Sequence, residues 1–405
     1  MENIQSSRWH SKSSDLKQHI EEGKQGKKLG ASVGLKRLEA LIHGFASSRY
    51  YLIGADSNVG KTTLADYILI NVMLDYIAKG KKLHVYYFSF EIPKVDKQLK
   101  WCAYFIFKKY GINLPIDYLS GTIKGMKITE EHERMLIEAY EIVDKLFDHI
   151  IWITSKSNEA DLYGNFESFF SKHGTINYYA QTEAEKTAKS KLRFKSFEKN
   201  DPDILVIGVV DHIGLVGEGK SEIDAFSKNV CMATRNHFGM SWLVVQQFNP
   251  DFLANYEEAK IRNGSKAKLP TPSRSDYGDS RLPFRDADYV FSLIKPMQFD
   301  IESFAGYNCR RADEGGLGDF LLLLFVTKNR HGRKDLIFPL FMNFTVGAAY
   351  DLPKATDGFM EDESTWVFRS RALLQEQEKF TIKEEEEECN YLNNEWELHQ
   401  QSLAI

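Results

Sequence analysis

The sequence predicts an α/β protein built on a mostly parallel, twisted sheet with helices on both faces. Three observations predict it. Seven short apolar runs, at 51–53, 83–89, 150–154, 204–210, 242–246, 289–294 and 320–327, each end in polar residues. Helical patterns lie between several of them, notably at 129–147 and 222–238. A phosphate-binding loop follows the first run. Continuous apolar strands alternating with helices are the pattern of a parallel sheet buried on both sides.

The elements follow in chain order. Residues 1–33 form a polar extension rich in Lys, Ser and Gln, in which 14–24 (SDLKQHIEEGK) reads as a short helix with little apolar face. Such a helix needs a partner surface. From residue 34 the pattern is globular, and 34–355 reads as one domain. Its first helix, VGLKRLEALIHGF, is amphipathic and leads into the strand at 51–53.

That strand runs into Ala55, Asp56, Ser57, Asn58, Val59, Gly60, Lys61, Thr62 and Thr63, with Ala55 where the strict phosphate-loop pattern has Gly. Backbone N–H groups of such a turn point at phosphate oxygens, and the helix that follows adds its positive dipole end. Lys61 then reaches the β- and γ-phosphates of ATP, and the Thr62 hydroxyl holds Mg²⁺.

Two stretches look inserted. Residues 156–200 carry Lys186, Lys189, Lys191, Arg193, Lys195 and Lys199, with Phe194 and Phe197 between them. Either they contact DNA by charge and stacking, or they form a solvated helix. Residues 250–286 carry Lys260, Arg262, Lys266, Lys268 and Arg274 among Asn, Ser and Pro, as a long loop. After residue 355 the chain becomes an acidic tail, with unbroken Glu at 384–388. The net charge of −5 therefore says little about the partners of the domain itself. Four scattered cysteines, a polar N-terminus and no apolar run of membrane-spanning length point to a soluble protein of a reducing compartment, the cytoplasm.

In an open parallel sheet, ligands bind beyond the carboxyl ends of the strands. The residues that follow the strands here are Glu91, Asp211, Gln247, Lys328 and Arg330. Glu91 is the general base for the attacking water, against the plainer reading of a helix-start charge. Asp211, closing an apolar strand downstream of a phosphate loop, holds Mg²⁺ through water. Gln247 senses the γ-phosphate or is only an amide at the strand end. Lys328 and Arg330 are solvated cations or reach a neighbouring subunit's nucleotide. All five are expected at one edge of the sheet. His212 and His331 read as local hydrogen-bonding residues.

The segments GADSNVGKTT, FSFEIPK, ILVIGVVDHIGLV, VVQQFNP, SDYGDSRLPFRDADYVF and TKNRHG occur in this order. Together, over about 34–350, they resemble the RecA-fold motor domain of DnaB-like replicative helicases, including phage versions. The resemblance implies a homo-hexameric ring that hydrolyses ATP with Mg²⁺ at subunit interfaces and moves on single-stranded DNA. Lys61 and Thr62 match its phosphate and Mg²⁺ ligands, Glu91 its catalytic glutamate, and Asp211 its Mg²⁺-holding aspartate. Gln247 matches its sensor glutamine, and Lys328 and Arg330 match its trans-acting pair. Residues 275–288 match its DNA-facing loop, except that Gly278 stands where the family has Arg and Arg281 where it has Gly. A phage-encoded member would act in the host cytoplasm. Only about thirty residues precede the motor, so no primase-binding collar is expected, although a primase or loader partner fits the family. The alternatives are a RecA-like recombinase or loader that binds DNA without unwinding it, and a regulatory ATPase acting on a protein.

Overall fold

The computed structural model describes residues 29–182, 186, 192–263, 269–278, 280–304 and 306–352, together with 20, 21, 23, 24, 373 and 375. The acidic run and most of the N-terminal extension, including nearly all of the helix expected at 14–24, lie outside the described residues.

Every one of the seven apolar runs is a strand. In chain order the strands are β1 (Tyr50–Ala55), β2 (Leu83–Ser89), β3 (Ile150–Ile153), β4 (Gly174–Tyr178), β5 (Phe194–Lys199), β6 (Leu205–Asp211), β7 (Ser241–Gln247), β8 (Tyr289–Ile294), β9 (Ser303–Phe304), β10 (Tyr307–Asn308), β11 (Leu321–Asn329), β12 (Leu336–Asn343) and β13 (Ala348–Asp351). Nine form one sheet in the order β13-β12-β11-β8-β1-β7-β6-β2-β3. The block from β8 to β3 is parallel. β11 joins β8 antiparallel, and β12 and β13 continue antiparallel.

Side-chain alternation along each buried strand feeds two cores. On β1, Tyr51 and Ile53 join one core, which also takes Leu64, Met73, Trp101 and Val143. Tyr50 and Leu52 join the other, with Phe166, Val230 and Phe238. The first face is covered by α1 (Lys36–Ile42), α2 (Lys61–Ala78), α3 (Lys94–Tyr110) and α4 (Glu130–Phe147). The second is covered by α5 (Glu159–His173) and by α6 (Lys220–Ala225), which runs through a π-helical Phe226–Met232 into α7 (Ala233–Phe238). α4 starts where the Thr129 side chain accepts a hydrogen bond from the His132 N–H.

Both inserted stretches differ from expectation. In the first, the described residues form α5 and an antiparallel hairpin of β4 and β5, not a solvated helix. Phe194 and Phe197 pack on Phe238 with ring centroids 5.7 and 5.6 Å apart. They are committed to the second core and not free to stack on bases; Lys189 and Lys191 lie outside the described residues. In the second stretch, Asp251–Asn263 is a helix, α8. Phe252 and Tyr256 bury one face of it against Phe299, which explains why it is ordered as helix where a loop was expected.

Candidate functional site

β1 ends at buried Ala55, so the methyl group that replaces the usual glycine is absorbed by the core. The loop then turns through Asn58 and Gly60, both with positive φ (57° and 104°). Gly60 is required for a second reason: a Cβ there would lie 2.5 Å from the Phe344 ring. α2 begins at Lys61, and the loop and this helix N-terminus line a cavity of about 660 Å³. Glu91, His212, Gln247, Lys295 and Phe344 complete its walls.

The side chains in the cavity hold one another. Lys61 Nζ donates to the Asp56 carbonyl at 2.5 Å. Burial lowers its pKa, against the opposing pull of Asp56, Asp211 and Glu91. Thr62 Oγ1 donates to Asp211 Oδ1 at 2.6 Å. Gln247 Nε2 donates to Ser57 Oγ at 2.6 Å, so the expected sensor amide touches the phosphate loop directly. Glu91, exposed after β2, stands at the mouth. His212, immediately after Asp211, adopts φ 75° and ψ 96°, a strained backbone for a residue with a Cβ.

The parts suit a magnesium nucleotide. Two left-handed turns shape a phosphate cradle, and among the described residues Lys61 has only the Asp56 carbonyl to leave. Thr62 and Asp211 present oxygen ligands of the kind Mg²⁺ prefers, already within hydrogen-bond distance of each other.

Lys328 and Arg330 are not at this edge, which corrects the expectation that all five residues gather there. β11 runs antiparallel, so its last residues lie at the amino end of the parallel block, with Lys328 opposite Val290 and Asn329 opposite Tyr289. There Lys328 Nζ donates to the Phe284 and Arg285 carbonyls at 2.9 and 2.6 Å. Arg330 donates to the Arg285 carbonyl at 2.6 Å and lies 3.7 Å from Asp288. Burial, then the neighbouring Arg330 charge, pull the Lys328 pKa down to about 8. Asp288 is buried and also binds Arg235 (2.7 Å) and the Tyr50 N–H (2.9 Å).

The segment 275–288 joins the two ends. At its start, Tyr277 bridges to Phe248, and its ring fills the space beside Gly54. The Gln246 side chain donates to the Ser280 carbonyl at 2.7 Å. A Cβ on Gly278 would stand 2.9 Å from the Gln247 carbonyl, which accounts for glycine at that position. Through α9 (Leu282–Asp286) the segment then reaches the carbonyls that hold Lys328 and Arg330. Arg281 and Arg285 are exposed along it, and Arg274 just before it.

Sequence reasoning missed four residues around the cavity. Phe344 and Lys295 meet with Lys295 Nζ 4.0 Å from the ring centroid, and burial lowers the lysine's pKa. Lys97 is fully buried and bonds Asp66 Oδ2, the Tyr87 hydroxyl and Asp211 Oδ2 at 2.9, 2.9 and 3.2 Å. Burial pulls the Lys97 pKa down, but the two carboxylates outweigh it and the net direction is up. A signal existed: Lys97 shares the buried stripe of α3 with Trp101, and Asp66 sits within the all-buried run of α2.

No family model matches the sequence, and no curated protein matches it. Solved structures do. An ATPase domain matches with a TM-score of 0.55 at 14% identity, over 84% of this chain and 98% of that domain. A DnaB-like replicative helicase, solved for its interactions with primase, matches with a TM-score of 0.55 at 14% identity, over 84% of this chain and 66% of its own. A KaiC-like protein from Pyrococcus horikoshii aligns at a TM-score of 0.40 and 12% identity, over 80% of this chain and 99% of its own. With its phosphate loop between β1 and α2 and its parallel block extended by antiparallel strands, the chain has the RecA-like fold of P-loop ATPases, the fold of the DnaB-like helicase motor.

Proposed function

We propose that the chain is an ATP-hydrolysing motor that assembles as a ring of six copies, moves along single-stranded DNA and separates duplex strands. One observation carries the reading. The phosphate loop and the Lys328/Arg330 pair lie at opposite ends of the parallel block, so a nucleotide bound by one subunit can be met by these cations only from another.

In this reading Lys61 leaves the Asp56 carbonyl for the β- and γ-phosphate oxygens. Glu91 orients the attacking water and accepts its proton. Thr62 and Asp211 hold Mg²⁺, which when bound offsets charge on the phosphate oxygens. The Phe344 ring offers the base an aromatic face. The partner subunit's Lys328 and Arg330 stabilise charge as the γ-phosphate departs, and Gln247 relays its loss to 275–288 through its backbone contact with Gly278, next to the Gln246–Ser280 hydrogen bond. Arg281 and Arg285 on that segment, and Arg274 just before it, meet DNA phosphates. A recombinase or loader would share the ATPase steps without strand separation. Primase binding belongs to the DnaB-like helicase named above, of which this chain spans about two thirds. A primase or loader remains a partner to be sought by co-purification.

The test is ATP hydrolysis with and without single-stranded DNA, alongside the mass in solution with ATP and Mg²⁺. DNA-stimulated hydrolysis by a hexamer, followed by unwinding of a forked duplex, is the expected result. Hydrolysis indifferent to DNA from a monomer would sink the reading.

A further inference from the structure

The buried group around Lys97 ties four elements together, three of them at the Asp211 carboxylate. Asp211 on β6 accepts from Thr62 of α2 through Oδ1 and from Lys97 of α3 through Oδ2. Lys97 also donates to Asp66 of α2, four residues beyond Thr62, and to the hydroxyl of Tyr87 on β2, which itself donates to Asp66 Oδ1 at 2.8 Å. All three ammonium protons thus have acceptors, and none of the three charged side chains is more than 5% exposed. A buried lysine in this position does two things at once. It bridges the Asp66 and Asp211 carboxylates, bonding one oxygen of each. It also fixes one oxygen of Asp211, which leaves the other aimed at Thr62 and the cavity.

We propose that Lys97 is a positioning residue for the metal site, holding Asp211 in the orientation that binds Mg²⁺ and so setting the affinity for the metal and not that for the nucleotide. The proposal rests on the ATPase reading above and adds a residue to it that touches neither phosphate nor water. Outer-shell partners of metal ligands commonly change metal affinity by about 10- to 100-fold when removed.

The experiment measures binding of a fluorescent N-methylanthraniloyl ADP by the full chain, first without metal and then across a Mg²⁺ titration. Two variants are compared with the unsubstituted protein: Lys97→Met, and Asp66→Asn combined with Lys97→Met. The pair removes the ammonium together with one carboxylate charge, so it keeps the test open if the single change prevents folding. The expected result is metal-free ADP binding within about two-fold of the unsubstituted chain and a Mg²⁺ midpoint raised by about ten-fold or more in the double variant. A folded double variant with an unmoved Mg²⁺ midpoint would mean that Lys97 only stabilises the fold, and overturns the proposal alone. Failure of the unsubstituted chain to bind ADP overturns the nucleotide reading and this proposal with it.

Discussion

Arg330 and Lys61 stand at opposite ends of one strand. The Arg330 N–H donates to the Asp288 carbonyl at 3.0 Å, and the Asp288 N–H donates to the carbonyl of Tyr50, the first residue of β1. Lys61 follows the loop that leaves the strand's last residue, Ala55. Five steps of strand separate these ends, roughly 16 Å. One chain cannot bring both cations to one γ-phosphate without unmaking its own sheet.

Complementation follows from that separation. Lys61→Ala should lower hydrolysis by about two orders of magnitude or more and weaken nucleotide binding. Arg330→Ala should lower hydrolysis by about 10³-fold while leaving nucleotide binding largely intact. Mixing the two inactive proteins should restore part of the activity, because some interfaces then pair an intact loop with an intact arginine. Steady-state hydrolysis across mixing ratios checks this, and a flat, inactive series would refute the trans arrangement.

Lys328 gives the activity a pH signature. With its pKa lowered to about 8, first by burial and then by Arg330, it carries charge below that pH and loses it above. Turnover that depends on this cation should therefore fall as pH rises through about 8, and Lys328→Arg should keep the charge and flatten the fall. Unfolding does not mimic the effect. The folded chain binds this proton less tightly than the unfolded chain, so the shift adds stability as pH rises from about 8 toward the ordinary lysine value of 10.5. Rate and thermal midpoint measured over the same pH series should move in opposite directions.

Restoring arginine at position 278 should harm the protein. The new Cβ would press on the Gln247 carbonyl, and relieving that contact costs about 1–3 kcal/mol. Gly278→Arg should lower the thermal midpoint and displace Gln247 from Ser57. A variant as stable as its parent, with tighter DNA binding, would show that the segment has room the geometry denies it.

Phe344 offers a separate handle on nucleotide binding. Phe344→Ala should weaken ATP and ADP binding by about ten-fold, the scale of one lost base–aromatic stack, and leave inorganic triphosphate unaffected. Competition binding of the three ligands distinguishes this from a general collapse of the loop.

The sheet and the phosphate loop were legible because their signals are local. A strand of continuous apolar residues, a small-residue turn and a helix start are contiguous from residue 50 to 78, and each apolar run needs only its own residues to declare itself. The place of Lys328 and Arg330 was not legible, because LLLLFV looks the same whichever way its strand runs; direction is set by the connection from β8, not by the run. Lys97 and Asp66 each read as an ordinary helix charge. Their partnership exists only after α2 and α3 pack on the same face, across 31 residues of sequence. The hairpin of β4 and β5 was hidden for a different reason. The two phenylalanines of FKSFEK stand three residues apart, a helical spacing and not a strand's alternation, and the pairing with β4 is irregular, so with its lysines the stretch looked like a solvated helix.

The reversal of β11 also gives the molecule a polarity that any assembly inherits. One pole offers a phosphate cradle and the other offers cations, and the two are unlike surfaces. Copies joined through this contact must all face the same way round, which is a heterologous contact and not a two-fold pairing. An open row of such copies always leaves one cradle at its end without a visiting cation. Closure supplies the missing junction, so catalytic capacity would count junctions and not chains, and breaking a ring would silence a site without altering a single residue.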